Sequence, residues 1–116
     1  MHWNVHSWTD DVGVDNVERV LELIRQVDAD VACLVEVDEP VEGQRRIDTI
    51  AATLGARAAF APAITYGEGR ERGQFGNAIV TRLPMQEVRE HPLLWPPPVY
   101  DGTEPSEQRT LVLARI

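Results

Sequence analysis

The stretch Val31-Ala32-Cys33-Leu34-Val35-Glu36-Val37-Asp38 decides how this chain is read. A continuous apolar run of this length reads as a strand buried on both faces, and such a strand rarely closes on a carboxylate without a reason. Glu36 is therefore the first residue to follow. Upstream, Trp3-Asn4-Val5-His6 reads as another short strand, with Asn4 and His6 on one face. A helix-length segment separates the two. Strand, helix and strand within about 35 residues have the proportions of a βαβ unit, right-handed if its strands are parallel. That layout brings an amide and a carboxylate to one edge of a sheet, where a hard cation could sit.

The intervening helix has its own signals. Asp15-Asn16-Val17-Glu18 has the Asp-x-x-Glu spacing of a capping box. Val17, Val20, Leu21, Ile24 and Val27 then form one apolar stripe, which ends before Asp28-Ala29-Asp30. Beyond the loop marked by Pro40 and Gly43, the spacing of Ile47, Ile50, Ala51 and Leu54 predicts a second helix, closed by Gly55 in a left-handed cap.

Ala58–Pro62 reads as a short strand, and Thr65–Gln74, with three glycines and alternating charges, as an exposed loop. Phe75–Thr81 is strand-like, with Met85–His91 as its expected hairpin partner. Prolines and Gly102 break the segment from Pro92 to Pro105. Gln108–Ile116 reads as a last strand, in which Leu111 and Leu113 point opposite to Val112 and Ala114. The chain enters its first strand within two or three residues and stops at Ile116 inside an apolar strand. That is the pattern expected of a piece of a larger fold. Residues 1–116 are accordingly read as one partial domain, without an internal repeat.

Composition narrows the function. Nineteen acidic residues against eleven basic ones give a formal net charge of −8, and every basic residue is arginine. Non-specific nucleic-acid binding rests on Lys and Arg neutralising phosphates, so tight DNA binding by this chain alone is disfavoured. No apolar run reaches the length needed to cross a bilayer. Cys33 is the single cysteine, which excludes an intrachain disulfide, and its place in the apolar run reads as packing.

Four segments in order carry a resemblance: Trp3-Asn4-Val5-His6; Ala29 to Asp38 with Glu36; Gly76-Asn77-Ala78-Ile79-Val80-Thr81-Arg82-Leu83-Pro84-Met85; and Glu107-Gln108-Arg109-Thr110 running on to Ile116. Together they resemble the amino-terminal half of the endonuclease/exonuclease/phosphatase superfamily. That group includes pancreatic-type deoxyribonucleases, abasic-site endonucleases, inositol-polyphosphate phosphatases and neutral sphingomyelinases.

The resemblance implies an α/β fold, part of a four-layered sandwich of two sheets with helices outside. It also implies hydrolysis of a phosphoester (nucleic acid, inositol phosphate or phospholipid headgroup) with Mg²⁺ or Mn²⁺. By it, Glu36 is the metal-binding carboxylate, and Asn4 the catalytic amide that orders the metal site and the phosphate. Glu107 orients a catalytic histidine, since a carboxylate on one imidazole nitrogen fixes the tautomer and leaves the other to take a proton. Arg109 stands either near the phosphate or simply at an exposed strand end. The Gly-Asn-Ala segment shapes a turn, and Val35 replaces the glutamine often found before the metal glutamate.

His6 is read as a surface or packing residue with a possible place in the cleft wall, and Trp3, Trp8, Trp95 and Phe75 as core or cleft wall. The family's second half supplies a Gly-Asp-x-Asn segment and a terminal Asp-His pair. Neither occurs in this sequence. In-line attack on phosphorus needs an activated water as well as charge neutralisation, so the chain alone is expected to be inactive. The competing expectation is a non-catalytic module that self-associates through its exposed sheet.

Overall fold

The computed structural model describes residues 1–93 and 108–116. Strand β1 (His2–Asn4) leads through a tight turn at His6–Trp8 to helix α1 (Val17–Val27) and strand β2 (Val31–Pro40). Helix α2 (Arg46–Thr53), β3 (Arg57–Tyr66), β4 (Gly73–Thr81), β5 (Glu87–Pro92) and β6 (Thr110–Arg115) follow. One sheet has the order β1-β2-β4-β3; β1 runs parallel to β2, and β4 runs antiparallel to both of its neighbours. The β1-α1-β2 unit expected from the sequence is present. The α/β class, as part of the larger sandwich, holds.

Both helices lie on one face of this sheet. Val20, Leu21 and Ile24 of α1 and Ile47, Ile50 and Ala51 of α2 pack on Ala32, Leu34 and Val37 of β2, Phe60 of β3, and Ala78 and Val80 of β4. The α1 stripe is therefore the predicted one, except that Val27 is exposed. The capping box does not form. Asn16 occupies the cap position without a side-chain bond to the helix, and Asp15, one residue earlier, accepts the Val17 N–H at 3.0 Å. Gly55 takes the predicted left-handed conformation, φ +62°, and the adjacent N–H groups return to Ala51 and Ala52.

The opposite face is only partly covered. The antiparallel pair β5–β6 packs over β3 and β4, burying Ala59, Ala61 and Ile79. Strand β2 is thus buried on its helix side, while Cys33 and Val35 on the other side are half-buried, contrary to the two-faced burial expected of its apolar run.

Three further expectations change. β3 continues four residues past Pro62, and β4 begins two residues before Phe75, so the predicted loop shrinks to residues 67–72. Pro62 is tolerated because β3 is an edge strand, where a missing donor can face away from the ladder. β5 pairs with β6 and not with β4. The reason is geometric: β4 already has β2 on one side and β3 on the other, so it has no free edge.

Both neighbours of β4 carry an extra residue at nearly the same level. Between Leu34 and Val37, β2 advances three residues while β4 advances two; between Pro62 and Ile64, β3 advances two while β4 advances one. Gly76 pairs with Val37 and Pro62 at this level. A Cβ there would collide with the Ala61 carbonyl oxygen of β3, so the close approach of the strands requires glycine. Asn77 is accordingly a mid-strand residue of β4, and the Gly-Asn-Ala segment does not shape a turn.

Candidate functional site at the ends of β1 and β2

The β2 bulge determines where Glu36 goes. Without it, strict alternation after Leu34 would place residue 36 on the helix-covered face. The extra residue instead returns Val37 and Glu39 to that face, and Glu36 takes φ +58°. Its side chain is left 38 % exposed at the end of the sheet where parallel β1 also finishes.

Asn4 is the register partner of Val35. Its Oδ1 accepts the His6 N–H at 2.9 Å, which leaves the NH₂ as the donor group of the amide. The His6 imidazole Nδ1 lies 3.4 Å from Glu36 Oε2. The imidazole and the carboxylate therefore approach each other where β1 ends beside the β2 bulge, and the Asn4 amide holds the His6 backbone there. His6 is a surface residue, as read from the sequence, its side chain 66 % exposed, and it also approaches Glu36, foreshadowed only by the shared face of Asn4 and His6 in the sequence.

An unusual backbone holds His6 there. His6, Ser7 and Trp8 have φ of +47°, +55° and +63°, and none is glycine. Such left-handed residues cost free energy and persist when their surroundings over-determine them. The surroundings do so here. Trp8 is 1 % exposed, its indole Nε1 donates to the Asp38 carbonyl at 2.8 Å, and its backbone N–H donates to Val5. A buried indole on β2 thus fixes the turn that carries His6.

Beside this trio opens a cleft of about 430 Å³ whose walls include His2, Glu36, Phe75, Asn77, Leu93 and Arg109. His2 also borders an adjoining cleft that holds Asn4 and His6. Asn77 ties the far wall in place, donating from Nδ2 to the Thr110 carbonyl at 2.8 Å. Of the residues singled out from the sequence, Glu36 and Arg109 border the first of these clefts and Asn4 borders the second. Glu107 and Trp95 lie outside the described residues. Trp3 is 42 % exposed on the helix side of β1, and Phe75 is half-buried.

The same carboxylate could hold a divalent ion. Mg²⁺ keeps most of its waters and takes one or two protein carboxylates plus substrate oxygens, and Glu36 offers one carboxylate open to water. Among the described residues, no three His, Cys, Asp or Glu side chains form a cluster able to enclose a metal. No helix among them is long and apolar enough to cross a membrane.

Two neighbouring groups were not visible as site residues in the sequence. Glu39 is buried, and its two oxygens accept the N–H groups of Arg46 (2.6 Å) and Ile47 (2.9 Å) at the start of α2. Burial pushes its carboxyl above the ordinary range, with those bonds and the nearby arginines pulling the other way. Tyr66 donates its hydroxyl to Asp38 Oδ1. Desolvation, followed by that bond and the carboxylate charge, moves the phenol up to about 12.

Residues 1–115 match the family model described as Endonuclease/Exonuclease/phosphatase family, and the chain belongs to that family. It is similar in fold to an endonuclease/exonuclease/phosphatase from Beutenbergia cavernae DSM 12333, with TM-score 0.69 and 20 % identity. It is also similar to an endonuclease/exonuclease/phosphatase family protein from Leptotrichia buccalis C-1013-b, with TM-score 0.68 and 15 % identity. The alignments cover 97 % of this chain in both cases, but 32 % of the first structure and 47 % of the second. No curated protein matches the chain.

Proposed function

We propose that this chain carries the metal-carboxylate half of a phosphoester-hydrolase site. The observation that supports the reading is the β2 bulge, which delivers Glu36 to the end of β1 beside Asn4 and His6. Glu36 would hold Mg²⁺ or Mn²⁺, and the bound ion would neutralise charge on the phosphate oxygens. Asn4, with its carbonyl oxygen engaged by His6, would donate its NH₂ to a phosphate oxygen. Arg109, on the wall of the cleft that Glu36 lines, would approach the same group. Glu107 would orient a histidine supplied by the complementary half of the family fold. The general base is not among these residues, so residues 1–116 alone would be inactive.

Mn²⁺ titration followed by amide NMR tests the metal site. Broadening centred on Asn4, His6 and Glu36, lost in Glu36→Gln, is the expected outcome; broadening that survives the substitution would refute it. Hydrolysis of a simple phosphodiester by residues 1–116 with Mg²⁺, abolished by Glu36→Ala, would overturn the expected inactivity.

A second reading has one observation in its favour. Leu111 and Leu113 stand 43 % and 52 % exposed on the outer side of β6, as an association surface would present them. A concentration-dependent dimer in sedimentation, dispersed by Leu113→Arg, would support a non-catalytic module.

A further inference from the structure

A second cleft, of about 440 Å³, lies beyond Glu36 along β2, between the ends of β2 and β3 and the loop 67–72. Its residues include Arg46, Arg70 and Arg72, together with Asp38, Tyr66 and Glu71. Three arginines in one recess stand out in a chain with eleven arginines and a net charge of −8. Outside the recess, Arg45, Arg82 and Arg89 are each bound closely by a carboxylate, at 2.5–2.8 Å, while Arg19, Arg25 and Arg57 have no ion pair among the described residues. Here Arg46 reaches Asp15 only at 4.0 Å, and among the described residues neither Arg70 nor Arg72 has an ion-pair partner.

The acids around this recess are mostly committed elsewhere. Asp38 receives the Tyr66 hydroxyl, and the buried Glu39 carboxylate is turned onto the first N–H groups of α2. Glu71 is the acid left facing the three guanidinium groups without a hydrogen-bonded partner among the described residues. Gly73 helps to shape the floor, because a Cβ there would collide with the Tyr66 ring. The recess is open and polar, unsuited to an apolar ligand and suited to an oxyanion, which guanidinium forks bind through paired N–H donors.

We propose that this recess is a second anion subsite, in which Arg46, Arg70 and Arg72 receive a phosphate group of the substrate other than the one beside Glu36. This rests on the phosphoester reading above and narrows it to substrates bearing at least two phosphates. Asp38, which borders the recess, is two residues beyond Glu36 on the same strand, so the two places neighbour each other along β2.

The test is metal-free NMR titration of the full chain with inorganic pyrophosphate, following the arginine side-chain Nε–H signals. A parallel titration uses a thymidylate tetramer. Saturable shifts at Arg46, Arg70 and Arg72, with Arg25 and Arg57 unmoved, are expected. Arg70→Gln combined with Arg72→Gln, both on an exposed loop, should weaken pyrophosphate binding about tenfold or more, and Glu71→Gln should strengthen it. Glu36→Gln should leave it unchanged, so a failed metal site at Glu36 does not mimic failure of this subsite. Shifts from both ligands point to a nucleic-acid strand as the source of the second phosphate; shifts from pyrophosphate alone point to a phosphomonoester. Shifts spread evenly over all arginines, or unaltered by the double substitution, would overturn the subsite.

Discussion

At the scale of single residues, Glu36 shows how one inserted position changes chemistry. Its type was legible in the run from Val31 to Asp38, but its direction was not. Hydrophobic alternation is blind to a bulge until the partner strand is known, and here the partner, β4, lies some forty residues later. Tyr66 is a similar case: nothing local in Ile64-Thr65-Tyr66 announces Asp38, which is 28 residues away. Spectrophotometric titration should find Tyr66 ionising at about 12, with Tyr66→Phe removing that step and Asp38→Asn lowering it. The sign for stability follows. Between the ordinary phenol value of about 10 and the folded value, the folded chain keeps a proton that the unfolded chain releases, so stability falls as pH rises through this window.

At the scale of elements, the helices and the βαβ unit could be read directly because their stripes and terminal signals are local. The β5–β6 pairing could not, because it depends on β4 being enclosed on both sides. Glu39 joins two elements, holding the first turn of α2 against β2 through two backbone N–H groups. Glu39→Gln leaves one carbonyl oxygen for two donors and sets an NH₂ against an N–H. Near neutral pH this should cost about 1–3 kcal/mol in urea unfolding. Because burial raises the folded carboxyl above its ordinary 4.5, the native protein binds the proton more tightly than the unfolded chain. Acidification from neutral pH through that folded value should therefore stabilise the wild type relative to Glu39→Gln, and the gap should stop growing below about 4.5. A gap that narrows on acidification would contradict the assignment.

Across the whole molecule, the described residues join the two sheets by apolar packing and by a side-chain hydrogen bond from Asn77. Its bond to the Thr110 carbonyl fastens β6 over β4 and closes the cleft that Glu36 shares with Arg109. Asn77→Ala should cost about 1 kcal/mol. Hydrogen exchange should accelerate in β5 and β6 well before β2 and β4, whereas uniform loss of protection would mean that the hairpin is not a separable unit. The order of the main sheet also bears on synthesis. Because β4 is inserted between two earlier strands, β2 and β3 have no direct ladder to each other, and a nascent chain cannot zip up progressively behind the ribosome. Until Thr81 has emerged, the strands already made must wait with bare flanks, an interval in which a holding chaperone would protect them from pairing with strangers.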